Sequence, residues 1–108
     1  MNMMITNDIT PAIAIHPGFI LKEELEERGI SQKKFAKIVD MPYTQLNEIL
    51  NEKRPVSADL ALAIEVALGI KAYIWVKLQA EYNLQIARED TKIKIRLDNI
   101  RKMCASLL

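Results

Sequence analysis

The stretch Ser31 to Asn51, SQKKFAKIVDMPYTQLNEILN, constrains the fold of this chain more than any other. It reads as two short helices meeting at a tight corner, the layout of a helix-turn-helix. Ser31 is a good N-cap, and Phe35, Ala36 and Val39 follow at spacings that share one helix face. Pro42 cannot extend the first helix, but its fixed φ and missing N–H suit the opening of the next. Leu46, Ile49 and Leu50 give that second helix a buried stripe. Ala36 is small where two helices crossing near a right angle bring their backbones together. Asp40 stands in the corner, where glycine is usual. Aspartate tolerates the left-handed conformation better than most residues, so the corner can still close.

The 108 residues predict one domain, and only 3 Gly and 4 Pro among long helical spacings favour an all-α fold. A first helix is expected over Gly18 to Arg28, stopped by Gly29, with Ile20, Leu21 and Leu25 inward and Glu23, Glu24, Glu26 and Glu27 outward. After the central pair, residues 51–56 form a loop. Ser57 caps a fourth helix, Ala58 to Leu68, whose inner face is Leu60, Ala61, Ile64, Ala67 and Leu68 and which ends at Gly69. A fifth helix begins near Ala72 and buries Ile74, Trp75, Leu78 and Tyr82. Residues 83–90 are ambiguous. Thr91 is the candidate cap of a last helix reaching Ser106, with Ile93, Leu97, Ile100 and Cys104 along one stripe. The resulting division is a flexible arm over 1–15, a helical domain over 16–84, and an extension over 85–108. An amphipathic extension needs something to cover its stripe, either its own domain, a second copy or another protein.

Composition narrows the function. No apolar run approaches the roughly 20 residues that cross a bilayer. Residues 1–15 lack the basic-then-apolar order of a secretory signal, which predicts a cytoplasmic protein. The lone Cys104 excludes an internal disulfide and offers no thiol cluster for zinc. His16, the single histidine, precedes Pro17 at a helix start and reads as a capping residue, since no nucleophile or orienting carboxylate accompanies it. The helix-one carboxylates diverge around their helix and do not converge on a metal. No glycine-rich loop exists for phosphate. Neither catalysis, cofactor nor metal is expected.

Nucleic-acid binding has better support. If Tyr43 opens the second motif helix, then Tyr43, Thr44, Asn47 and Glu48 are exposed near its N-terminal end, with Gln45 beside them. A recognition helix sets such residues against base edges in the major groove. Thr44 suits a thymine methyl, Asn47 or Gln45 an adenine, and Glu48 a cytosine amine. Gln32, Lys33, Asn51, Lys53 and Arg54 are the expected phosphate contacts. The net charge is only +1, and residues 18–55 carry 7 basic and 7 acidic residues, whereas residues 71–108 carry 8 basic and 4 acidic. Affinity must therefore come from local placement of charge and from dimerisation.

His16-Pro17-Gly18, Ile20 to Leu25, Ser31-Gln32, Phe35-Ala36, Asn51 to Arg54, the Ala61 to Gly69 segment and Trp75 to Leu84 together resemble the HigA-type antitoxins. These are a branch of the XRE/Cro-like, lambda-repressor-like helix-turn-helix proteins. The resemblance spans roughly His16 to Leu84. It implies a five-helix domain, here with an additional C-terminal helix, in an antitoxin that neutralises a RelE-like (HigB-type) mRNA-cleaving toxin. It also implies repression of its own operon by a DNA-binding dimer. The alternatives are a free-standing phage or host regulator without a toxin, and an interaction module whose motif has lost DNA.

Overall fold

The computed structural model describes residues 14–107, so the expected arm lies outside it but for Ala14 and Ile15. Among the described residues there are six helices and no strand: α1 (Pro17–Glu27), α2 (Gln32–Ile38), α3 (Tyr43–Leu50), α4 (Ala58–Leu68), α5 (Ala72–Glu89) and α6 (Thr91–Ala105). The all-α expectation and the motif pair α2–α3 hold.

Local chemistry sets the helix ends. Ser31 Oγ accepts the Lys34 N–H at 3.1 Å and Ser57 Oγ accepts the Leu60 N–H at 3.1 Å, so both predicted serine caps form. The first three helices end alike. In each, the residue after the C-cap is left-handed, Gly29 (φ 69°), Asp40 (φ 55°) and Glu52 (φ 66°). The next N–H then returns to the last turn: Ile30 to the Leu25 carbonyl, Met41 to Ala36 and Lys53 to Glu48. This pattern satisfies carbonyls that the helix end would leave unpaired. Asp40 thus fills the corner position as expected.

The core is Leu21, Leu25, Phe35, Ala36, Leu46, Ile49, Leu50, Val56, Leu60, Ala61, Ile64, Leu68 and Trp75, drawn from α1 to α5 and the loop before α4. Some sequence expectations need correction. Ala67 is exposed because it falls at the margin of the α4 stripe. In α5, Gln79 shares the buried face with Trp75, while Ile74, one residue earlier in the turn, faces outward. Residues 83–89 continue α5 without a break, because nothing in Asn83 to Glu89 interrupts a helix, and the expected division at 84/85 falls inside it. Asp90, not Thr91, caps α6: its carboxylate accepts the N–H of Lys92 at 2.8 Å and of Ile93 at 3.3 Å. A charged acceptor one residue earlier outcompetes the threonine hydroxyl. No residue of α6 is buried. Among the described residues no helix is long and apolar enough to cross a membrane.

Candidate nucleic-acid interface

Helix α3 is held from beneath and behind. Leu46, Ile49 and Leu50 are at most 2 % exposed and fix its inner face in the core. Its last turn is pressed against the start of α1, where a Cβ on Gly18 would overlap the Ile49 carbonyl. Only glycine permits that approach. His16 caps α1 there as expected, Nδ1 accepting the Gly18 N–H at 2.9 Å, and its ring meets the edge of Tyr82 with centroids 4.8 Å apart. Burial pushes the imidazole below its ordinary value, partly offset by the Glu52 charge.

With that face buried, the opposite face of α3 is outward by helical geometry. Thr44 and Glu48, one turn apart and both exposed, lie along its middle. Asn47 is half-buried at its flank and belongs to a short chain of amides. Its Nδ2 donates to Gln32 Oε1 at 3.1 Å, and Asn51 Nδ2 donates to Asn47 Oδ1 at 3.2 Å and to the Asn47 carbonyl at 2.9 Å. An amide has two N–H groups and two acceptor lone pairs. Asn47 therefore keeps one of each, the pair a bidentate contact with adenine uses. Gln32 keeps both N–H groups, whereas the Asn51 amide is occupied in bracing Asn47.

The remaining predicted residues, Gln45 excepted, lie around this face. Lys33 Nζ stands 5.7 Å from the Tyr43 ring centroid, a cation–π contact that joins the starts of α2 and α3. Gln45 is half-buried and turns to the far side, bordering a shallow groove with Val39, Met41, Pro42 and Leu60. Lys53 is exposed. Arg54 forms an ion pair with Glu48, Nη2 to Oε1 at 2.8 Å and Nε to the same oxygen at 3.0 Å. Sequence reasoning missed Gln79. Its Oε1 accepts the Val56 N–H at 2.8 Å and its Nε2 donates to Asn83 at 3.0 Å, so it anchors the loop carrying Lys53 and Arg54 to α5. A polar residue in a helix looks like surface until a loop is known to cross it. The acidic residues Glu23, Glu26 and Glu27 of α1 remain exposed, and Glu24 pairs with Arg28 at 2.9 Å.

The family model described as "Helix-turn-helix" matches residues 21–75. Virulence-associated protein I of Dichelobacter nodosus is 40% identical over 78 residues, covering 71% of this chain and 72% of that protein. The structure of an addiction module antidote protein of the HigA family from Coxiella burnetii superposes with a TM-score of 0.70 at 34% identity, over 77% of this chain and 91% of that one. Pseudomonas aeruginosa antitoxin HigA, solved with the higBA promoter, superposes with a TM-score of 0.72 at 34% identity over the same shares, 77% and 91%. The fold and these matches agree: the chain belongs to the helix-turn-helix family, of XRE type, and within it to the HigA antitoxins.

Proposed function

We propose that this protein is the antitoxin of a toxin–antitoxin pair, binding operator DNA through α3 to repress its own operon and neutralising a RelE-like toxin by direct contact. The observation that carries the DNA half is the outward face of α3. Thr44, Asn47 and Glu48 stand on a helix whose other side is locked in the core, and Gln32 and Asn51 orient Asn47 before any ligand arrives. Side chains held in place beforehand lose less entropy on binding. Lys33, Lys53 and the free amide of Gln32 flank that face as phosphate contacts. The acidic face of α1 stays away from the duplex. That the Pseudomonas aeruginosa relative was solved with the higBA promoter supports operator binding.

The likeness to the HigA family supports the toxin partner, and what α6 leaves uncovered supports the dimer. Ile95, Leu97, Ile100 and Met103 are exposed on α6. A second copy laid on residues 85–107 would cover them, and a helix-turn-helix dimer on DNA sets its two recognition helices about 34 Å apart, one turn of the duplex. Footprinting on the DNA upstream of its own gene tests the repressor: two protected half-sites one turn apart are expected, and no protection overturns it. A tagged copy purified from its native host is expected to bring down a small basic protein encoded next to it. Absence of any such gene or partner favours the free-standing regulator.

A further inference from the structure

Glu48 is the one carboxylate on the outward face of α3, and its position calls for an explanation because DNA phosphates repel it. We propose that Glu48 selects a cytosine in each half-site by accepting a hydrogen bond from its exocyclic amine, and that Arg54 positions Glu48 for this instead of contacting phosphate. The inference rests on the reading of α3 as the groove-facing helix.

The geometry carries both parts. Arg54 Nε and Nη2 both donate to one carboxylate oxygen, Oε1, and no described residue donates to Oε2. The guanidinium thus offsets the charge that would keep Glu48 out of the groove and fixes the side chain, while the second oxygen of this half-exposed carboxylate keeps its acceptor capacity. Arg54 is itself held. The Lys53 N–H returns to the Glu48 carbonyl at 2.8 Å, folding the loop back over the end of α3, and the Val56 N–H is tied to Gln79. Both partners of the ion pair are about half exposed, 49% and 47%, so it does little for stability and its location on the reading face stands out. A carboxylate only accepts hydrogen bonds. In the major groove that excludes guanine and thymine, whose edges present acceptors, and leaves the amines of cytosine and adenine. Adenine carries its N7 acceptor beside the amine and repels the carboxylate, so cytosine is selected.

The test uses the full chain and duplexes randomised across each half-site, selected by wild type, Glu48→Ala, Arg54→Ala and Arg54→Lys. Wild type is expected to enrich a cytosine at one position per half-site. Replacing that base with N4-methylcytosine, which keeps the base pair but fills the groove-facing N–H, should weaken wild-type binding about tenfold and leave Glu48→Ala unmoved. Arg54→Ala should shrink the methylation penalty, and Arg54→Lys should restore part of it. Glu48→Ala selecting the same sequences and binding all of them more tightly would overturn the inference, since Glu48 would then be only a repulsive charge. Arg54→Ala weakening every duplex alike with the penalty intact would overturn the positioning role. Wild type selecting defined sequences without such a cytosine sinks this inference alone, whereas wild type selecting nothing sinks the reading of α3 as well.

Discussion

His16 is 3% exposed, accepts a backbone N–H through Nδ1, and is the chain's single histidine. Its folded-state pKa lies below the ordinary 6.5, burial being the larger cause and Glu52 pulling the other way. As pH falls through the unfolded value, the unfolded chain takes up a proton that the folded chain refuses. Its contribution is therefore full above about pH 6.5 and declines as pH drops toward the folded value. Urea midpoints should fall between about pH 7 and pH 5 for wild type, and His16→Asn, which keeps a capping acceptor without titrating, should flatten that slope. An unchanged slope in the variant would remove His16 from the account. On α3 the residue-level expectation is that Thr44→Ala or Asn47→Ala costs about 1–3 kcal/mol of DNA binding and relaxes base preference, whereas Lys53→Ala weakens all sequences alike. Binding titrations against matched and altered operators distinguish the two.

At the scale of elements, helix ends were the most legible part of the chain, because a cap is local chemistry. Ser31, Ser57, Gly29 and Gly69 each mark an end that a side chain or a glycine dictates. Glu52 was not legible as a left-handed stop, since glutamate has no preference for that region and takes it only because the loop must fold back over α3. The α6 start was one residue off because Asp90 and Thr91 are both good caps side by side, and only the structure shows which oxygen reaches two N–H groups. Asp90→Ala should therefore cost about 1 kcal/mol of helix stability, while Thr91→Ala, a better helix former without its cap role, should cost nothing measurable by thermal melting. Asp40→Gly should raise stability by about 0.5–1 kcal/mol by relieving a left-handed non-glycine residue, with DNA binding unchanged. The exposed face of α3 was legible from periodicity alone. The Asn47–Gln32 brace and the Arg54–Glu48 pair were not, because they join residues brought together by the corner and the returning loop.

At the scale of the whole molecule, the five packed helices and α6 are different kinds of structure. The first five share one core, while α6 has no buried residue and, among the described residues, pairs Asp98 only with its own Arg101 and Lys102, at 3.5 and 3.3 Å. A chain truncated after Asp90 should keep its fold and sediment as a monomer; an unchanged dimer would refute dimerisation through the extension. With a net charge of +1, the molecule has no global field to draw it to DNA, so any affinity must come from the residues grouped around α3. The most direct test of that claim is a titration of the full chain with its own upstream DNA at about 50 and 200 mM salt. A groove-bound α3 flanked by Lys33 and Lys53 predicts a specific complex that weakens steeply between the two. Absence of a specific complex at either concentration, or one indifferent to salt, would contradict it.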